Sequence, residues 1–133
     1  MTQAPPKTDP LRAFLSGKRL APRILVDVPV RLVVGTLGIE ARAVDASEGG
    51  ALVAVSGRAL GAAGLDGGMA LMSLHERLAQ GFDLVVPVLG IERRSHPVRI
   101  ATRSGDDDHL YVGCRFERAL SVPEQQGLGL LGD

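Results

Sequence analysis

Apolar and polar residues alternate most regularly between positions 24 and 34. There Ile24, Val26, Val28, Val30, Leu32 and Val34 fall on one face, and Asp27 and Arg31 on the other. A period of two marks a strand with one buried face, because successive side chains leave opposite sides of the pleat. Gly35-Thr-Leu-Gly38 reads as a hairpin turn. Ile39, Ala41 and Ala43 then alternate with Glu40 and Arg42 on a returning strand that delivers Asp45 at its end. Runs at 51–55, 69–74, 84–89, 98–103 and 110–116 are read as further strands, and the Gly- and Ala-rich stretch 56–68 as a loop with one helical turn. Gly105-Asp-Asp-Asp108 supplies a turn before the last strand, while 91–97 carries no clear assignment. Ser121-Val-Pro-Glu124 is a capping box with an early proline, which predicts a short C-terminal helix that Gly127, Gly129 and Gly132 weaken and end. Six or seven short strands with hairpin-length connections point to an all-β antiparallel barrel or sandwich with that helix appended.

Composition narrows the function. The chain of 133 residues suits one domain able to bury a core. Residues 1–10 hold three prolines among polar residues and read as a flexible tail; it runs to residue 17, with a helical turn over 11–15, ahead of a domain at 18–133. A formal net charge of zero argues against a general binder of DNA or RNA, so any anion site must be local. One cysteine excludes an internal disulfide framework. No stretch is long and apolar enough for a membrane span, and the N-terminus lacks the pattern of a secretory signal, so a cytoplasmic location is expected.

The chemistry concentrates in two places. Arg19-x-x-x-Arg23 precedes the first strand, and Asp45-x-Ser47-x-x-Gly50 follows the second. A guanidinium makes paired hydrogen bonds to phosphate oxygens and to the O6/N7 edge of guanine, and it stacks on purines; lysine supplies only charge. A carboxylate accepts from the N1 and N2 donors of guanine, a serine hydroxyl joins that network, and Gly49 and Gly50 admit a close backbone approach. Each half has a blander reading: the arginines as a solvated basic stretch, and Asp45 to Ser47 as a self-ordering turn. It is their pairing in one short β-rich chain that carries weight.

Other candidates are weaker. Cys114 shares a strand face with Leu110, Val112 and Phe116 and reads as a core residue rather than a nucleophile served by His75, His96 or His109. Asp106 to Asp108 beside His109 read as a solvated hairpin tip rather than a metal site. Gly127-x-Gly-x-x-Gly132 formally matches a dinucleotide fingerprint but lacks the strand and helix that fingerprint requires. Arg93, Arg94 and Arg99 read as a solvated strand face. No catalytic or metal site is expected.

The two motifs in this order, followed by the strand Tyr111-Val-Gly-Cys-Arg-Phe116, are similar to the PilZ domain family over roughly residues 18 to 131. The resemblance implies a six- or seven-stranded antiparallel β-barrel, with a terminal helix covering one end, that binds the bacterial second messenger cyclic di-GMP. It also implies that Arg19 and Arg23 contact guanine edges and phosphates, and that Asp45 and Ser47 contact guanine, with Gly50 completing the motif and Gly49 and Lys18 as additional contacts. In the family the position of Lys18 influences whether one ligand or a stacked pair is bound. The expected partner is an effector protein, reached when the ligand orders the N-terminal segment. Motility, exopolysaccharide synthesis and pilus function are family possibilities, and monomer and homodimer both stay open. The competing reading is an interaction module of the same fold that acts without nucleotide.

Overall fold

The computed structural model describes residues 23–65, 70–103 and 106–131. Its strands are β1 (Ile24–Val34), β2 (Leu37–Ser47), β3 (Gly50–Ser56), β4 (Phe82–Val86), β5 (Ile91–Arg103) and β6 (Asp106–Phe116). They close into a barrel in the order β1-β2-β3-β6-β5-β4, every neighbouring pair antiparallel. Among the described residues three short α-helices accompany it: α1 (Gly57–Ala62), α2 (Ala70–Leu78) and α3 (Val122–Gly127). The six-stranded barrel and the C-terminal helix agree with the sequence expectation. No helix among the described residues is long and apolar enough to cross a membrane. The tail expected at 1–17 lies outside the described residues.

Alternation explains the core. Val30, Leu32, Ile39, Ala43, Val53, Val55, Leu84 and Val112 point inward and are almost wholly buried, and Cys114 joins them as the small apolar residue expected of it. Closure removes sheet edges, so the backbone donors and acceptors of each strand are met on both sides. Val34 pairs with Leu37 across a two-residue turn. Gly35 takes the left-handed step there, at φ 59°, that residues with a side chain resist.

Three assignments differ from the pattern reading. Asp106 to Asp108, expected in a turn, already form the start of β6, because the hairpin to β5 is tighter than the run of acidic residues suggests. Of the run at 69–74, residues 70–74 belong to α2 rather than to a strand, and Met69 lies outside the described residues. Leu74 and Leu78, one helical turn apart, are both fully buried, whereas Leu71 and Met72 are exposed. The deciding apolar pair lies partly beyond the run, where a period-two search does not look. The run at 84–89 divides into β4, which begins at Phe82, and a 3₁₀ turn at Pro87–Leu89, where proline removes the donor that another strand residue would need. Residues 91–97 extend the later strand into one β5.

The barrel ends are built differently. At one end α1 leaves β3 and α2 enters β4, and the buried Leu60, Leu65, Leu74 and Leu78 plug it. Ser56 caps α1 by accepting from the Ala59 amide at 3.0 Å. The opposite end holds the start of β1, the β2–β3 turn and the chain leaving β6 toward α3. Beneath it lies an apolar pocket lined by Val28, Ala46, Ala51, Phe116, Leu120 and Leu128, among others.

Candidate functional site

The β2–β3 connection is a two-residue turn, Glu48-Gly49, closed by the facing pair Ser47 and Gly50. The Ser47 hydroxyl is nearly buried and accepts a long hydrogen bond of 3.4 Å from the Gly49 amide. Two backbone bonds fix the turn from outside. The Phe116 amide donates to the Gly49 carbonyl at 2.8 Å, and the Leu120 amide to the Glu48 carbonyl at 2.8 Å. The motif is therefore tied both to β6 and to the C-terminal segment. A Cβ at Gly49 would meet nothing within 4 Å, so the fold itself does not demand glycine there.

Asp45 stands on the outer surface for a reason that strict alternation hides. Ala43 points inward, so an unbroken strand would turn Asp45 inward as well. The register shifts between Ala43 and Asp45 in the β2–β3 pairing, and between Leu25 and Val28 in β1–β2. The extra residue in β2, Val44, reverses the facing of that strand beyond it, whereas β1 keeps its alternation through the shift. Ala46 thereby enters the core, and Asp45 faces out between Leu25 and Leu52.

Arg23, immediately before β1, reaches across this end. Its Nε lies 3.1 Å from Asp45 Oδ1, with side chains 38% and 14% exposed respectively. The approach is not aligned as a hydrogen bond, and Asp45 Oδ1, screened from solvent, has no hydrogen-bond donor among the described residues. A poorly satisfied carboxylate oxygen is costly, and it favours any donor that meets it squarely. The structure thus brings Arg23, Asp45, Ser47, Gly49 and Gly50 to one end of the barrel. Lys18 and Arg19 lie outside the described residues.

The register extends this site in a direction that the motifs do not mark. On the outer face Asp45 pairs with Leu52, Leu52 with Gly113 and Gly113 with Arg99. One row nearer the rim, Ser47 pairs with Gly50, Gly50 with Arg115 and Arg115 with His96. The strand Tyr111-Val-Gly-Cys-Arg carried the clue, since inward Val112 and Cys114 force Gly113 and Arg115 outward. Their neighbours across strands were not readable from it.

Arg93 corrects the expectation of a solvated basic face. It projects inward from β5 and is 9% exposed. Its guanidinium donates to the carbonyls of Arg118 (3.1 Å), Glu92 (2.9 Å) and Ala119 (3.4 Å), and to the Glu124 carboxylate. It thereby holds the chain between β6 and α3 down on the barrel. Glu124 also closes the capping box predicted for Ser121, accepting from the Ser121 amide at 2.7 Å. That backbone hydrogen bond, helped by the Ser121 hydroxyl and the charge of Arg93, holds the Glu124 carboxyl below its ordinary value. Arg94 instead lies on the outside beside Asp83.

The PilZ domain family model matches residues 17–131, nearly the whole chain. No curated protein matches the sequence. With the closed barrel, the terminal helix and this match in agreement, the chain belongs to the PilZ domain family, whose members generally bind cyclic di-GMP and are typically non-catalytic receptors.

Proposed function

We propose that this domain is a receptor for cyclic di-GMP, held by Arg19, Arg23, Asp45, Ser47 and Gly50 with contributions from Lys18 and Gly49. The observation that carries the reading is the Arg23–Asp45 ion pair, which joins the two motifs across one barrel end. A guanine placed there offers N1–H and N2–H donors to the under-satisfied Asp45 carboxylate, and its O6/N7 edge or a ligand phosphate accepts from Arg23. The exchange favours binding, because a misaligned contact is replaced by aligned, charge-assisted ones. Arg23 heads β1, so engaging it and Arg19 draws the segment before the barrel onto the turn. The signal then passes to an effector protein as a change in the surface at this end.

The test is a calorimetric titration of cyclic di-GMP into the protein, with Arg23→Ala alongside and GTP as control ligand. Saturable binding that Arg23→Ala abolishes and GTP does not reproduce is the expected result. If cyclic di-GMP gives neither heat nor thermal stabilisation, the reading is wrong, and a PilZ interaction module acting without nucleotide becomes the better account.

A further inference from the structure

The outer surface of β5 and β6 beside the motif turn carries three features that the barrel does not need. The first is a bulge. The register shifts between Pro97, opposite Cys114, and Arg99, opposite Gly113. Two consecutive side chains, Val98 and Arg99, are consequently both exposed, and Ile100 returns to the inner face opposite Val112. Bulges commonly re-aim a side chain beside a binding site.

The second feature is Gly113. It lies inside β6 with no left-handed backbone requirement, and a Cβ built on it would meet only the Arg99 carbonyl oxygen, at an ordinary 3.8 Å. Glycine in a strand interior costs roughly 0.5–1 kcal/mol relative to alanine. Gly113 is buried and lies opposite the bulge, and with no close contact demanding it, glycine there suits both the bulge and a close approach from outside.

The third is charge. Arg31 is paired with Glu40, Arg42 with Asp27, Arg93 with Glu124 and Arg94 with Asp83. Arg99 and Arg115 are exposed and, like Arg58, Arg77 and Arg118, have no ion-pair partner among the described residues, but only these two lie on the sheet rows that run from Asp45 and Ser47. The carboxylate that borders Arg115, that of Glu117, is engaged by His96 at 2.6 Å. Two unneutralised guanidinium groups thus flank Gly113, which has no side chain and whose backbone is buried, from neighbouring strands, continuous with Asp45 and Ser47.

We propose that Arg99 and Arg115, with Gly113 between them, form a second cationic subsite that takes the purine–phosphate half of the cyclic dinucleotide distal to Arg23 and Asp45. This rests on the function proposed above. Asp45 and Arg99 lie three strand steps apart, about 14 Å along the sheet. One molecule with two purines and two phosphates reaches both places, and arginine suits either a phosphate or a guanine edge.

Calorimetric titrations with cyclic di-GMP at low and high salt compare wild type with Arg99→Ala/Arg115→Ala, Gly113→Val and Arg23→Ala. The double variant should bind roughly tenfold more weakly or worse, with a shallower salt dependence. Gly113→Val should keep the wild-type melting temperature or raise it, and lose affinity. Should Arg23→Ala abolish binding while the double variant keeps wild-type affinity, the subsite is refuted and the receptor reading stands. A wild type that does not bind overturns both. If Gly113→Val fails to fold, the double variant alone decides, since exposed arginines are removable at little cost to stability.

Discussion

The two ends of the barrel solve the same closure problem with opposite chemistry. At the helical end Leu60, Leu65, Leu74 and Leu78 fill the opening with apolar side chains from α1, the connection after it and α2. At the other end a buried guanidinium, Arg93, gathers three backbone carbonyls and the Glu124 carboxylate, and the motif turn hangs from Phe116 and Leu120 by single backbone hydrogen bonds. Apolar plugging is insensitive to direction and fixes little beyond volume. Hydrogen bonds fix position, and they give way one at a time. The candidate site stands at the end held by polar contacts, where Arg23 and Asp45 meet. Stability and ligand response are on this account separable, one belonging to each end.

The largest test of that separation is Leu78→Ala. Leu78 is fully buried, so truncation should cost about 2–5 kcal/mol of stability in denaturant unfolding. The affinity of the folded fraction for cyclic di-GMP should not change. Arg93→Met should cost less, about 1–3 kcal/mol, because three carbonyls lose their donor while Glu124, still partly exposed, rehydrates. It should nonetheless weaken ligand binding severalfold, since the released C-terminal segment no longer anchors the Glu48 carbonyl through Leu120. Parallel losses of stability and affinity in both variants would break the comparison.

The smallest effect is set by pH. Glu124 titrates below its ordinary value in the folded protein. The stabilisation from its charged form is therefore fully present above that ordinary value and disappears as pH falls through the lowered one. Thermal melts between pH 7 and pH 3 should show a shallower acid decline for Glu124→Gln than for wild type. Coincident profiles would mean that the capping box and Arg93 draw nothing from the charge.

Much of this was legible along the chain. The alternation from Ile24 to Val34 became β1 with its expected inner face, Cys114 fell inward with Val112, and Ser121 with Glu124 made the cap that the spacing predicted. These are local patterns, set by the pleat or by one helical turn. Misreadings arose where the local pattern was ambiguous or interrupted. The apolar run near Met69 fitted a strand until Leu74 and Leu78 were seen to share a helical face. Arg93 reads as solvent-facing because arginine usually is, and only the inward parity of β5 and the carbonyls of a segment far along the chain make its burial tolerable.

The sequence by itself determined the fold class, the family and the pair of motifs, because strand periodicity, turn chemistry and motif order are properties of neighbours in the chain. The tertiary structure alone decided that Asp45 faces outward, that Arg23 reaches it, and that Gly113, Arg99 and Arg115 continue the same surface. Bulges and cross-strand register set those relations. A one-residue shift exchanges the faces of everything downstream, and whether it occurs depends on how six strands close around a common core.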